Sequence, residues 1–520
     1  MQFLPYPGSK VQSSSPARLV SLILTLFVSL LVLFCSPALT TATEINFTIL
    51  HVNDTHGHII PYLDKKVDPE HPVSGAEYLA KMVELERAAN PDGTILLSAG
   101  DMFQGTPISN LFHGKPVIEI MNYMHYDAMA LGNHEFDWGQ DVLHSIITSA
   151  SFPVVSANVF ERGGGTIPGV KPYVLLKRKD VQIAVIGITT PETYYSSKPE
   201  DVTGLTFVSP EKVLPAIISR VRAEGASIVI VLSHMGLDAD RLLAREVGGI
   251  DVIVGGHSHT AIKDPVIESG TVIVQAGSNG IYLGVLHIGF DSEGKKILSF
   301  TRKDELKLVS PALGAQADPN AALIVDKYES QVKAEFSKVI GTAAVDLGRD
   351  STRESNLGDV VADAMREACG AQIAFQNGGG IRADIPKGPI TLETLFTVLP
   401  FDDQLVSMEL TGEQIRGMLE RNASSKNLLQ VSGMRIVYDL SKPSGEKLAA
   451  VEVAGKPLDV QQTYKVATND FLAAVGGKSN VFKQGRNLTP GPPVRDAVID
   501  YIHKNSPINV EARDRIVFRN

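Results

Sequence analysis

From residue 44 to about residue 289 the chain alternates short apolar runs with longer mixed stretches, the pattern of strands interleaved with helices in an α/β domain. The runs at 45–52, 94–99, 128–131, 153–157, 182–188, 227–232, 251–254, 271–275 and 283–290 are predicted strands. Between the first two, Tyr78, Leu79, Met82, Val83 and Leu85 recur at the spacing of one helix face, so 76–89 is predicted to be an amphipathic helix. The rhythm changes at 311–340. Asp318-Pro319-Asn320 reads as a helix start, and Ile324, Val325, Tyr328, Val332 and Phe336 put an apolar stripe on a mostly polar helix. This helix is expected to connect two compact bodies, with a peripheral helix of the first body as the alternative. The expected division is a leader at 1–43, a first domain at 44–315, a connecting helix at 316–340 and a second domain at 341–520.

Length agrees with that division, since 520 residues of ordinary apolar content exceed what one core can organise. The leader follows from Lys10 and Arg18 ahead of an apolar run at 19–34, with small residues around Ala38 and Ala42. That run is short of the roughly 20 residues a bilayer span needs, so a cleaved signal peptide is expected rather than a permanent anchor. The protein is then exported to a periplasm or outside the cell. Cys35 invites a lipoprotein reading, but bulky Phe34 before it fits poorly. Once the leader is gone Cys369 is the only cysteine, so no internal disulfide can form. The polar stretch at 513–520 offers no tail for a lipid anchor. A net charge of −10 without any Lys/Arg stripe argues against polymeric nucleic acid as a partner and leaves small anions open. Oligomeric state is not legible.

Candidate chemistry falls just past the ends of the predicted strands. Asn53-Asp54-Thr55-His56 follows the first, Gly100-Asp101 the second and Asn133-His134 the third. Ser233-His234 follows 227–232, and Gly255-Gly256-His257-Ser258-His259 follows 251–254. In a mostly parallel sheet the carboxyl ends share one edge, so these clusters should converge. Taken singly, each has an ordinary structural reading: a capped turn for Asp54, a helix N-cap for Asp101, a core histidine for His234. Together Asp54, His56, Asp101, Asn133, His234, His257 and His259 offer the mixed nitrogen and oxygen donors that suit two divalent cations such as zinc or manganese. Such a pair can activate water and clamp the attacking and leaving oxygens of a phosphoryl displacement. Asp101 is the candidate bridge. His134 can sit near a reacting oxygen, and Asp137 three residues on can hold its other ring nitrogen. Asn53-Asp54-Thr55 is formally a glycosylation sequon, but a glycan there would block the metal loop.

In order and spacing, Asp54-x-His56, Gly100-Asp101, Gly132-Asn133-His134-Glu135-Phe136-Asp137, His234 and Gly256-His257-Ser258-His259 resemble the calcineurin-like metallophosphoesterases, and within them the secreted 5′-nucleotidases. The resemblance implies a four-layer β-sandwich flanked by helices, joined by a helix to a second α/β substrate-binding domain. It places Asp54, His56, Asp101 and His259 around one metal and Asp101, Asn133, His234 and His257 around the other, with His134 and Asp137 as the catalytic pair. Some relatives have Gln or Asn where this chain has His259.

The second half resembles the C-terminal domain of the same family through Arg353-Glu354-Ser355-Asn356-Leu357-Gly358, Gln376-Asn377-Gly378-Gly379-Gly380-Ile381-Arg382, Leu399-Pro400-Phe401 and Thr468-Asn469-Asp470-Phe471-Leu472. Read alone, the glycine run lets backbone approach a ligand and Arg382 supplies a forked cation. The resemblance makes Arg353, Asn377 and Arg382 substrate contacts and Phe401 and Phe471 the rings that sandwich a base. One stretch departs from the family. Soon after Phe471 the family usually carries Gly-Gly-Asp-Gly, whose Asp binds the ribose hydroxyls; here Gly476-Gly477-Lys478-Ser479 puts a donor where that acceptor stands. The expected function is hydrolysis of nucleoside 5′-monophosphates by a water activated between two metals. The alternatives are a 2′,3′-cyclic phosphodiesterase or sugar-phosphate phosphatase on the same frame, and a secreted metal-binding or adhesive protein without catalysis.

Overall fold

Strands whose residues are apolar at every position can be satisfied only by packing on both faces. In Val181–Thr189, Ile183 and Val185 point one way and Ala184 and Ile186 the other, all fully buried. A computed structural model of the chain shows what covers each face. It describes residues 44–519 apart from 302–304, 314–315, 424, 426, 475–479 and 513. The expected leader lies outside the described residues, save for isolated positions at its start, and so do Lys478 and Ser479.

Two sheets stack in the first half of the chain. One runs Lys296–Phe300, Tyr282–Asp291, Glu44–Val52, Thr94–Ser98, Ala128–Ala130, Val154–Val155 in spatial order. The other runs Val266–Glu268, Thr271–Val274, Val252–Gly255, Ile228–His234, Val181–Thr189, Tyr173–Arg178. Phe47, Ile49, Ile95 and Leu97 of the first meet Ile183, Val185, Ile230 and Val254 of the second in a buried apolar inter-sheet core. Alternate residues face outward. Leu50, Val52 and Leu96 pack under Ala76–Ala89 and Lys115–Tyr123, while Ala184, Ile186 and Val231 pack under Pro210–Ala223 and Leu237–Glu246. The result is four layers, helix, sheet, sheet, helix.

The expected strand at 283–290 is present as Tyr282–Asp291 but runs antiparallel to Glu44–Val52, and the one at 153–157 shrinks to Val154–Val155. Glu44–Val52, Thr94–Ser98 and Ala128–Ala130 are mutually parallel, as are Val181–Thr189, Ile228–His234 and Val252–Gly255. Their carboxyl ends therefore face one rim.

Asp318 caps the helix Pro319–Phe336, accepting from the amides of Asn320 and Ala321. Ala321, Val325 and Tyr328 belong to the core of the first body, while Phe336 at the far end meets Phe396 of the second edge-on. Beyond it, a mixed five-stranded sheet ordered Leu429–Ser432, Ile373–Asn377, Thr463–Asn469, Gln404–Thr411, Arg486–Pro493 carries Asn356–Ala368 and Val494–Asn505 on one face and Gly412–Asn422 on the other. A four-stranded sheet completes this body. No helix among the described residues is long and apolar enough to cross a membrane.

Candidate metal centre and substrate cleft

The five strand-end clusters meet at the shared rim. Backbone bonds zip the first two loops together: Asp54 N–H to Gly100 O at 2.9 Å, His56 N–H to Asp101 O at 3.0 Å and Gly57 N–H to Met102 O at 2.9 Å. The backbone turns sharply where donors are presented. Asp54, His56, Asp101, His257 and His259 all take left-handed conformations, with φ of 50°, 49°, 55°, 71° and 54°. Non-glycine residues adopt that region at a cost, and its concentration here marks a site whose geometry is imposed by the surroundings.

Two groups of potential ligands result, Asp54 with His56 and His259, and Asp101 with His234 and His257, the donor atoms of each lying within 4.8 Å of one another. Asp101 lies between them. Its Oδ2 is 3.0 Å from His234 Nε2 and 4.0 Å from His56 Nε2, which belongs to the other group. Asn133 Oδ1 joins the second group, 3.2 Å from His234 Nε2 and 2.9 Å from His257 Nδ1. Outer contacts orient two imidazole rings. His56 Nδ1 and His234 Nδ1 lie 2.9 Å from Gln104 O and 2.7 Å from Ala99 O, and since a carbonyl only accepts, each Nδ1 is the donor and each Nε2 is turned towards the ligand cluster.

Asp54, Asp101 and His234 are buried, and a buried carboxylate needs a positive partner. The electrostatics show that demand. Burial opposes charge on His234, yet Asp101 outweighs it and pushes the imidazole up to about 10. Burial likewise opposes ionisation of Asp101, but His234 and His134 hold its carboxyl well below the usual range. This donor set, rich in oxygen and imidazole and calling for positive charge, fits divalent cations.

Beside the ligands, Nδ1–H of His134 donates to Asp137 Oδ2 at 2.6 Å, while the His134 amide donates to Asp101 Oδ1 at 2.8 Å. Burial works against charging His134, but Asp137 and Asp101 keep its pKa above the ordinary value. The second body closes over the rim. Arg382 Nη2 comes within 3.3 Å of His56 Nε2, and the Phe401 ring lies 5.6 Å from that of His134. Asn377 sits at the end of its strand, its Oδ1 accepting from Asn469 at 2.9 Å. Phe471 is half-buried on the short helix Asp470–Ala474. Arg353, expected to touch substrate, is exposed, and Arg349 lines the cleft with Arg382, His56 and His259.

Three positioning groups went unread in the sequence. Glu135, 1% exposed, accepts from the amides of Asp101 and Gly132 on one oxygen, at 2.9 and 2.6 Å, and from Met102 on the other at 2.8 Å. Asn53 donates to Asp54 Oδ2 and Gly277 O, both at 2.6 Å. Gln275 accepts from Ser258 and from the Thr260 amide, tying down the His257–His259 loop. Glu135 and Asn53 lay inside motifs already noticed; Gln275 carries no sequence signal.

A double sheet with two carboxylate and imidazole groups on one rim, closed over by a second α/β body, defines a metal-dependent phosphoester hydrolase. The chain matches the calcineurin-like phosphoesterase family over residues 47–261 and the 5′-nucleotidase C-terminal domain over 339–484. It is 31% identical to human 5′-nucleotidase over 527 residues, covering 91% of this chain and 90% of that protein. It is 33% identical over 494 residues to the trifunctional nucleotide phosphoesterase protein YfkN of Bacillus subtilis, spanning 84% of this chain and only 32% of that longer protein. The crystal structure of a 5′-nucleotidase precursor from Thermus thermophilus superposes with a TM-score of 0.85 at 35% identity, covering 92% of this chain and all of that one. The chain belongs to the 5′-nucleotidase family of metallophosphoesterases, whose members work with divalent metal ions.

Proposed function

We propose that the protein is an exported two-metal phosphomonoesterase acting on nucleoside 5′-monophosphates, with chemistry in the first body and recognition in the second. The observation that carries this is Asp101 between two ligand groups, with Arg382 and Phe401 arriving from the other body directly above. Asp54, His56, Asp101 and His259 would hold one ion, and Asp101, Asn133, His234 and His257 the other. When bound, the ions supply an activated water and neutralise the phosphoryl oxygens.

The protein's own groups do the rest. His134 presents Nε2 to the phosphoryl group, where a charged imidazole offsets negative charge building in the transition state, and Asp137 holds the ring by Nδ1. Arg382 and Arg349 give forked donors to the remaining phosphoryl oxygens. Phe401 and Phe471 take the base between them, a contact tolerant of base identity. The proton given up by the activated water ends, through solvent, on the departing alkoxide. Export is supported by the charged and apolar sequence at 1–43. The name of the relative YfkN, a trifunctional nucleotide phosphoesterase, favours a second reading in which other nucleotide phosphoesters are also cleaved.

The test is a substrate panel on metal-reconstituted protein, spanning nucleoside mono-, di- and triphosphates, 2′,3′-cyclic nucleotides, sugar phosphates and a chromogenic phosphomonoester with added Mn²⁺. Highest kcat/KM on nucleoside 5′-monophosphates is expected. Higher values on cyclic nucleotides or sugar phosphates would move the assignment to those substrates, and no turnover of any member would leave a metal-binding protein without catalysis.

A further inference from the structure

The two ring-bearing segments of the second body are gripped from the first. Lys198, in the loop after Thr193–Ser196, places its ammonium 3.2 Å from Asp470 Oδ2 and 3.4 Å from Asp402 O. Asp470 precedes Phe471 and Asp402 follows Phe401, so one lysine touches both segments that carry the rings. Asn110 adds a bond to the carbonyl of Pro400 at 2.8 Å. Elsewhere along the interface Lys65 pairs with Asp346 and Lys66 with Asp384, but those side chains are more exposed, 49% and 73% for the lysines against 27% for Lys198. Exposed pairs of that kind contribute little.

The charges around Lys198 sharpen the point. Glu200, Asp201 and Asp137 from the first body and Asp402, Asp403 and Asp470 from the second surround this stretch of the interface. Burial, with Asp470 adding to it, pushes the Asp403 carboxyl up to about 7, and Lys198 opposes the rise. Without the lysine, carboxylates from the two bodies face each other across the interface.

We propose that Lys198 is a positioning residue, an interdomain tie that holds the Phe401 and Phe471 segments in register over the metal centre. Its bonds go to Asp470 and Asp402 rather than to the metal ligands. Its work is to keep populated the arrangement in which a nucleotide can be held at both ends, so its loss taxes ligands that need both bodies and spares those that need one. The inference rests on the rings being the base site.

Asp470 allows the tie to be cut cleanly. Its Oδ1 accepts from the amides of Gln404 and Phe471, while Oδ2 faces Lys198. Asp470→Asn can keep the local bonds and turn an amide towards the lysine. Lys198→Met and Asp470→Asn are each expected to lower kcat/KM for AMP about fivefold through KM, with the double variant no worse than Lys198→Met. The inhibition constant of adenosine, which needs the rings alone, should stay within about twofold. Spin labels, one on each body, should show a broadened interdomain distance in both variants without substrate.

An unchanged KM for AMP, multiplicative effects in the double variant, an adenosine constant that moves with the AMP constant, or an unaltered distance distribution would each overturn the tie. If the unmodified enzyme ignores AMP, the proposed function fails, and the distance measurement still decides whether Lys198 ties the bodies.

Discussion

Glu135 gives the sharpest test of how the centre is built. One carboxylate braces two loops, since the amides of Asp101 and Met102 belong to one and that of Gly132 to the other, and all three donate to it. In Glu135→Gln the amide oxygen can replace the oxygen shared by Asp101 and Gly132, but the amide nitrogen then faces the Met102 N–H, donor against donor. Losing one charge-assisted bond and stranding one buried amide costs about 1.5–3 kcal/mol. Glu135→Ala strands all three, roughly 3–5 kcal/mol. The cost falls on the loops bearing Asp101 and Asn133, which must be in place before a cation can bind. Metal affinity should therefore drop roughly 10- to 150-fold in the Gln variant. Chelator-competition titration with Mn²⁺ or Zn²⁺ reads this directly, and is preferable to thermal melting because two bodies need not unfold in one step. A Gln variant that binds metal within about threefold of the unmodified protein would refute the brace.

Four further outcomes follow from the same geometry. Stripping divalent metal should abolish turnover and lower thermal stability, because buried carboxylates then oppose one another; full activity after dialysis against chelator would contradict the two-metal reading. His134→Ala should lower kcat by roughly 10²–10⁴ with metal content unchanged, and Asp137→Asn should act the same way more weakly; metal loss in the first variant would make His134 a ligand. The cavity between the Arg349, Arg382 and histidine side chains is ≈ 60 Å³, under the roughly 300 Å³ of a small-molecule site, and the bodies are expected to part and close again during turnover. A reducible cross-link between Lys65→Cys and Asp346→Cys should cut the rate until reduced, and a cross-linked enzyme at full rate would show that no such motion is needed. Lastly, with Lys478 where an acidic acceptor is usual, ribo- and 2′-deoxyribonucleoside monophosphates should be cleaved with kcat/KM within about tenfold, and Lys478→Asp should favour the ribonucleotide. Nearby Asn480 already donates to Leu472 O and accepts from the Phe482 amide, which commits it to local structure. A preference of about a hundredfold for the ribonucleotide in the unmodified enzyme would mean that another acceptor serves the sugar.

Much of this was readable along the chain because it is local. Runs such as Ile183, Ala184, Val185 and Ile186 leave no polar face, so burial on both sides follows from composition alone. Placing Asp54, Asp101, Asn133, His234 and His257 after such runs puts them on a common rim once the strands are parallel, whatever the details of packing. What the sequence could not decide is direction. Arg349 and Arg353 are cations in the same loop, and only the folded turn sorts them: Asp350 accepts from the amides of Thr352 and Arg353, the Arg349 amide binds Asp384, and Arg349 is left in the cleft. Glu135 could as well have faced water as accepted three amides. Lys198 is one lysine among many until two remote segments are brought to it. The sequence by itself determined which donors the protein owns and where they fall relative to the strands, because apolar periodicity is encoded residue by residue. Which donor faces which partner was decided only by tertiary structure, because it depends on contacts between segments far apart in the chain, where a rotation of one turn exchanges a ligand for a surface charge.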